Sequence, residues 1–264
     1  MKLATWNINS VRLRFPIVAK LLKKEAPDVL ALQETKVIND LFPAKDFAKL
    51  GYVHQAIHGQ KGYHGVAILS RIPFRSQASQ DFCAKGDCRH MGVTLENGVE
   101  LHNFYVPAGG DIPDPKVNNK FAHKLAFLRE MEETFAKRRD RNTQPAILVG
   151  DLNVAPLEND VWSHKQLLDV VSHTPVEVDL LNKVYAAFEW SDVTRSFVPP
   201  EQKIYSWWSY RALDWKASDR GRRLDHIWTS PALKGAVTSH AILKEVRGWK
   251  QPSDHVPVIA EFAL

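Results

Sequence analysis

The chain has 264 residues, 44% apolar and 25% charged, a composition typical of a globular protein with a sizeable core. Its net charge of +5 is compatible with a polyanionic partner without requiring one. Two cysteines, Cys83 and Cys88, exclude a disulfide framework, and no apolar run approaches the roughly 18 residues of a membrane span.

Met1 leads straight into a strand-like run, Leu3–Ile8, with no signal-peptide core, so a cytoplasmic location is expected. Helical periodicity follows at Arg12–Lys24, where Val18, Leu21 and Leu22 share a face. Short strands are expected at Val29–Gln33, Tyr52–Ile57, Gly65–Ser70, His90–Leu95 and Glu100–Val106. His90 stands near the two cysteines, but no second ligand pair has a zinc-like spacing, and ordinary thiols are expected. A Gly/Pro-containing loop, Pro107–Asn119, is long enough to be functional. The helix expected at Lys120–Arg139 has Phe121, Leu125, Leu128 and Phe135 as its stripe, and the basic run Lys137–Arg141 reads as its solvated end. Next come a buried strand at Ala146–Gly150 and a helix at Val176–Phe188, started near Thr174-Pro175. The last strands are expected at Leu224–Thr229, Val237–Leu243 and Val256–Phe262. Many strands with a few long helices point to an α/β protein of two sheets faced by helices. No linker or repeat divides the chain, so one domain, 1–264, is expected.

Five strand ends carry unusual polar residues: Asn7 and Asn9; Gln33 and Glu34; Asn103 and Tyr105; Asp151 and Asn153; Asp254 and His255. Each has an ordinary explanation. Asp151 and Asn153 suit an Asx turn, Asn7 satisfies a strand end, and Tyr105 and His255 are common core residues. Together they form an oxygen-rich set without cysteine, which suits Mg²⁺ or Mn²⁺ and phosphodiester hydrolysis. The segment Tyr205-Ser206-Trp207-Trp208-Ser209-Tyr210-Arg211 interleaves aromatics with a cation. It suits either a nucleic-acid surface or an aromatic corner of the core.

These motifs resemble the exonuclease III-type apurinic/apyrimidinic (AP) endonucleases of the endonuclease/exonuclease/phosphatase superfamily. The resemblance runs through the whole chain in order: Trp6-Asn7-Ile8-Asn9-Ser10-Val11-Arg12, Leu32-Gln33-Glu34-Thr35-Lys36, Gly65-Val66-Ala67-Ile68-Leu69-Ser70, Tyr105-Val106-Pro107, Gly150-Asp151-Leu152-Asn153, Tyr205–Arg211, Arg223-Leu224-Asp225-His226 and Ser253-Asp254-His255-Val256-Pro257. It implies a four-layer α-β-β-α sandwich and a Mg²⁺-dependent monomer, with Mn²⁺ as a substitute. Such an enzyme cleaves duplex DNA 5′ to abasic sites and acts at 3′ ends. By motif, Glu34 binds the metal with Asn7 and Asp254, and Asp151, Asn153 and His255 are counted beside them. The resemblance also makes Asp151 handle the attacking water and Asn153 hold a phosphate oxygen. His255, oriented by Asp225, then meets the scissile phosphate with Tyr105 nearby. Trp207 and Leu224 line the pocket for a flipped abasic sugar, and Arg211 and Arg223 contact DNA.

Three positions depart from the family pattern. Asn9 replaces an acidic residue of some members, Ala108-Gly109-Gly110 lacks an amide side chain found elsewhere, and Arg222 stands where some relatives have a pocket tryptophan. A phosphatase or phospholipase of the same superfamily is the nearest alternative. Leu224-Asp225-His226 stands against it, because those phosphatases carry Cys-Asp-Arg there. A non-catalytic binding module of the same fold is disfavoured by the intact set Glu34, Asp151, Asn153, Asp225, Asp254 and His255.

Overall fold

Alternating side chains on the central strands bury both faces, and this sets the architecture. In the computed structural model, which describes residues 1–212 and 214–264, two six-stranded mixed sheets pack face to face. The first contains β1 (Lys2–Asn7), β2 (Val29–Gln33), β3 (His54–His58), β4 (Val66–Ser70), β13 (Val237–Ile242) and β14 (Val258–Phe262), in the order β13-β14-β1-β2-β4-β3. The second contains β5 (Phe74–Ala78), β6 (His90–Leu95), β7 (Glu100–Tyr105), β8 (Ala146–Asp151), β9 (Ser191–Asp192) and β12 (Asp225–Thr229), in the order β5-β6-β7-β8-β12-β9. A two-residue pair, β10 (Trp207–Trp208) and β11 (Gly221–Arg222), stands apart.

Leu3, Val29, Ala31, Val93, Leu101, Ile147, Val149 and Ile227 fill the space between the sheets. The opposite face of the first sheet takes α1 (Val11–Glu25) and α2 (Ala44–Lys49), through Val18, Leu21, Leu22 and Phe47 against Trp6, Leu30 and Leu32. The opposite face of the second takes α3 (Asn119–Ala136) and α5 (Pro175–Ala187), through Phe121, Leu128, Phe135 and Leu181 against Phe104, Leu148 and Trp228. The expected α-β-β-α layering is thus observed. Single turns α4 (His164–Leu167), α6 (Val193–Phe197) and α7 (Trp215–Ser218) lie in the connections.

Both sheets share one pattern of directions. A central parallel pair, β1–β2 or β7–β8, has antiparallel neighbours on each side. Each parallel pair is joined by a helix, α1 or α3, as a parallel connection requires. The structure therefore brings together the C-terminal ends of four central strands, two from each sheet.

The expected strands and the three long helices are all present within a few residues. Helix α3 starts under Asn118, whose side chain accepts from the backbone N–H groups of Lys120 and Phe121. Helix α5 starts with the Thr174/Glu177 capping box and Pro175 in its first turn. Two local readings need correction. Strand β5 (Phe74–Ala78) had no expectation, because it is an edge strand whose residues are mostly exposed, leaving no apolar run to read. The basic segment after α3 is not simply solvated: Arg138 pairs with Glu100 at 2.6 Å and Asp140 at 2.8 Å. Cys83 and Cys88 are free thiols. Among the described residues no helix is long and apolar enough to cross a membrane.

Candidate active site

Period two along the strands decides which polar residues meet. On β1, β2, β7 and β8 the inward-facing positions end in Asn7, Gln33, Tyr105 and Asp151, and those of the antiparallel β12 begin at Asp225. The register sets Tyr105, Asp151 and Asp225 side by side across the second sheet, and Asn7 beside Gln33 across the first. Behind this row Gln33 donates to Thr5 at 2.9 Å and to Asn103 at 2.7 Å, and Asn103 donates to the carbonyls of Leu32 and Ala67 at 3.0 Å. This polar layer between apolar cores fixes the spacing of the sheets at the site. Gly150 permits the close approach: a Cβ there would lie 1.9 Å from the Phe104 carbonyl oxygen, and its φ of +134 is open only to glycine.

Asn7 bridges the two sheets, its amide donating to Glu34 Oε1 at 2.9 Å and to Asp151 Oδ2 at 2.8 Å. The Tyr105 hydroxyl also donates to Glu34 Oε1, at 2.8 Å. Asn153 lies past the end of β8 in the left-handed region, with φ +53. Its backbone N–H and its amide both donate to Asp151, at 3.0 and 3.1 Å, and the amide also reaches the Val106 carbonyl at 2.9 Å. His255 Nδ1 lies 2.8 Å from Asp225 Oδ2, and its Nε2 faces Asp151 Oδ2 at 3.6 Å. Ser206 donates to the same Asp225 oxygen at 2.6 Å. The segment bearing His255 is pinned to β1, because the Trp6 indole donates to the His255 carbonyl and Ser253 donates to that of Asn7. Asp254 accepts from the indole of Trp207 at 3.0 Å and from Asn9 at 3.2 Å.

Burial pushes the Asp151 carboxyl up to about 7, against the pull of His255. Burial alone would lower His255; the Asp225 and Asp151 carboxylates outweigh it and raise the imidazolium to about 10. Burial, reinforced by the Glu34 and Asp151 carboxylates, pushes the Tyr105 phenol well above its usual value, so it is a neutral donor. Burial would raise Glu34, but Lys36 and the Asn7 amide hold it below the usual carboxylate range.

Above this row opens a cleft of about 660 Å³, lined by Glu34, Asp151, Asn153, Trp207, Leu224, Asp254 and His255 together with Arg211, Arg220 and Arg222. The residues expected to act together, Asn7, Glu34, Tyr105, Asp151, Asn153, Asp225, Asp254 and His255, are gathered here. Trp207, Leu224 and Arg211 line the same cleft. Arg223 is the exception. Its side chain is fully buried and points away, paired with Asp160 at 2.7 Å and Asp192 at 2.8 Å, so it offers nothing to DNA. In the short link between β11 and β12, Arg222 and Leu224 both line the cleft and Arg223 between them does not. Three supporting residues were not anticipated. Lys36 pairs with Glu34 at 2.8 Å and donates to Asn9 at 2.6 Å; Ser206 holds Asp225; and the fully buried Lys124 donates to the Asn153 carbonyl at 2.7 Å while pairing with Glu177.

The donors at the cleft floor fit a hard divalent cation. They are carboxylate oxygens with no cysteine, and an ammonium already sits against Glu34. Glu34 would hold the cation, with Asp254 as the second carboxylate, while Asn7 orients Glu34 through its N–H and would need its amide turned to offer an oxygen. Asp151, Asp225 and His255 also offer atoms within 4.8 Å of one another, but the two carboxylates keep His255 protonated, so its Nε2 presents a proton and no lone pair to a metal.

Residues 4–255 match the Endonuclease/Exonuclease/phosphatase family. Over 278 aligned residues the chain is 30% identical to an exodeoxyribonuclease III of Haemophilus influenzae, covering 99% of this chain and 100% of that protein. Two solved structures superpose over 100% of both chains with a TM-score of 0.91: an AP endonuclease from Archaeoglobus fulgidus at 32% identity, and the 3′ phosphatase NExo from Neisseria, bound to a product DNA hairpin, at 31%.

Proposed function

The chain belongs to the Endonuclease/Exonuclease/phosphatase family, and from that membership and the geometry of the cleft we propose a Mg²⁺-dependent DNA repair nuclease. It hydrolyses the phosphodiester 5′ to abasic sites in duplex DNA and processes 3′ ends, as a cytoplasmic monomer of one catalytic domain, 1–264. Mn²⁺ substitutes for Mg²⁺. The observation that carries this reading is the buried row Asp225–His255–Asp151, set beside Glu34 at the floor of a cleft walled by arginine and tryptophan.

In this reading Asp151 takes a proton from water, because its carboxyl titrates near neutrality and its two oxygens are aimed by Asn7 and Asn153. His255 is not the base, since Asp225 keeps it protonated; its Nε2–H donates to a non-bridging phosphate oxygen. When the phosphate binds, Tyr105 and Asn153 turn to it the neutral donors that they otherwise give to Glu34 and Asp151. Water oxygen bonds to phosphorus and the bond to the upstream 3′ oxygen breaks. That oxygen takes a proton from solvent and leaves as a hydroxyl, Asp151 returns its proton to solvent, and the phosphate stays on the 3′-side fragment. A bound cation supplies Lewis-acid stabilisation of the charge that gathers on the phosphoryl oxygens. Trp207 and Leu224 receive the extruded sugar, which has no base to unpair.

A labelled duplex with one abasic site, an undamaged recessed 3′ end and a phosphoinositide form the test set. Incision of the first and shortening of the second with Mg²⁺, both stopped by EDTA, are expected. Turnover of the phosphoinositide alone would replace the DNA reading with a lipid phosphatase.

The pH profile is a second check. The active form has Asp151 ionised, which is favoured as pH rises through about 7, and His255 protonated, which is lost as pH rises through about 10. The kcat/KM profile is therefore bell-shaped, and a cation bound beside Asp151 draws the acid limb lower. Asp225→Asn removes the main charge raising His255, so the alkaline limb moves to lower pH. An unmoved alkaline limb in that variant rules out His255 as the protonated donor.

A further inference from the structure

The outer side of α1 carries a second concave surface, which shares no residue with the cleft. It is a groove of about 330 Å³ between α1 and residues 249–251. Its floor is apolar. Ile17 is buried, Trp249 is half-buried, Pro16 is exposed, and Leu13 is 53% exposed. The helical repeat puts them there: Leu13, Pro16, Ile17 and Lys20 are three or four residues apart and share one face, while Val18, Leu21 and Leu22 turn to the sheet.

The rim is cationic, and no carboxylate lines the groove. Lys20 Nζ lies 4.1 Å from the centre of the Trp249 ring, covering the indole face. Arg14 donates only to the Asn9 and Pro252 carbonyls and the Tyr210 hydroxyl, so its charge is not neutralised. On the same helix Lys24 is paired, with Glu25 at 3.5 Å and Glu245 at 3.1 Å. Lys20, Lys23 and Lys250 make no ion pair among the described residues. A hollow of about 490 Å³ shares Pro16 and Lys20 with the groove and continues it to Lys23. From Leu13 to Lys23 the trough follows the helix for about 15 Å, the span of about five residues of extended chain.

An apolar floor under an unneutralised cationic rim narrows the choice of occupant. Duplex DNA would meet the lysines, but its sugar-phosphate backbone leaves Leu13, Pro16 and Trp249 unfilled. A second copy of this chain would bring a net charge of +5 to a rim that is already positive. A short acidic peptide with large apolar side chains satisfies both surfaces at once, carboxylates at the rim and an anchor on the floor.

We propose that the groove between α1 and Trp249 docks an extended acidic segment of a partner protein, seating one or two large apolar side chains against Leu13, Pro16 and Trp249. The cleft stays open while the segment is bound, because the two surfaces share no residue.

An array of labelled hexapeptides tests this, each with four Asp or Glu and two of Leu, Ile, Phe or Trp. Matched peptides replace the apolar pair by Ser, or the acids by Asn and Gln. Fluorescence anisotropy with the unmodified protein is expected to find array members with a Kd of about 1–100 µM, and both matched sets bind weaker by about tenfold or more. Lys20→Glu/Lys250→Glu is expected to weaken the best peptide by about tenfold or more, and Leu13→Ser by about threefold. All three positions are exposed, so the melting midpoint and the incision of an abasic duplex stay as in the parent. The assignment fails if no member of the array binds more tightly than its Ser counterpart, or if charge reversal leaves the best peptide unaffected. Displacement of that peptide by an undamaged duplex, with duplex affinity lost in the charge-reversed variant, gives the groove to nucleic acid instead. A dimer in sedimentation that Leu13→Ser dissolves gives it to a second copy.

Discussion

Asp151→Asn is expected to leave a folded protein whose single-turnover incision of an abasic duplex is slower by about 10²–10⁴-fold, the range of a lost general base. Asn cannot accept the proton of the attacking water. It also disturbs the donors already aimed at position 151. Asn7 and Asn153 both donate through side-chain N–H groups to one oxygen, and the Asn153 backbone N–H donates to the other. An amide has one acceptor and one donor end, so one of these bonds becomes a donor facing a donor. Against that, the substitution removes a carboxylate that burial already drives toward its neutral form. Circular dichroism and the melting midpoint are therefore expected to stay close to the parent while the rate collapses. A rate within threefold of the parent would remove Asp151 from the chemistry.

Lys124→Met is expected to have the largest effect on stability, about 3–5 kcal/mol, the usual cost of removing one member of a buried ion pair. Lys124 and Glu177 have no exposed side-chain surface, and they tie α3 to α5 beneath the site. Met fills the volume but leaves the Glu177 carboxylate without its cation and the Asn153 carbonyl without a donor. In many buried pairs a double apolar replacement restores stability. Here Lys124→Met/Glu177→Leu is expected to stay destabilised. Glu177 also accepts from the backbone of Ser172 and Thr174 and from the Thr174 hydroxyl, and Leu would strand those buried donors. Urea unfolding of both variants measures this. A double variant as stable as the parent would show that the pair is not what holds this corner together.

The layers of the fold were legible because the central strands are continuous apolar runs and the long helices carry clear stripes. What escaped was built from contacts distant in sequence. The Asp225–His255 pair was expected from the motifs, but only the fold shows that the same carboxylate oxygen also serves Ser206, 19 positions before Asp225. Lys124 reads in sequence as a polar residue on a helix with an apolar stripe. Its burial depends on Glu177, 53 positions later, which is itself disguised as the third residue of a capping box. Arg223 was assigned to DNA by motif, and the carboxylates that turn it inward, Asp160 and Asp192, lie 63 and 31 positions away in sequence. Asn7, Glu34, Tyr105 and Asp151 were recognisable because polar residues are rare at the inward end of a buried strand.

Strand β1 lies between β2 and β14, and the Met1 amino group reaches the Phe262 carbonyl at 2.6 Å. During synthesis the first strand made therefore waits for the last one described. Until Val258–Phe262 leaves the ribosome, β1 has an open edge, and the Trp6 indole lacks its acceptor at His255. The same late segment carries Asp254 and His255. A chain that still lacks this segment thus presents a half-closed sheet without its imidazole, and the site stays incomplete until β14 has paired with β1.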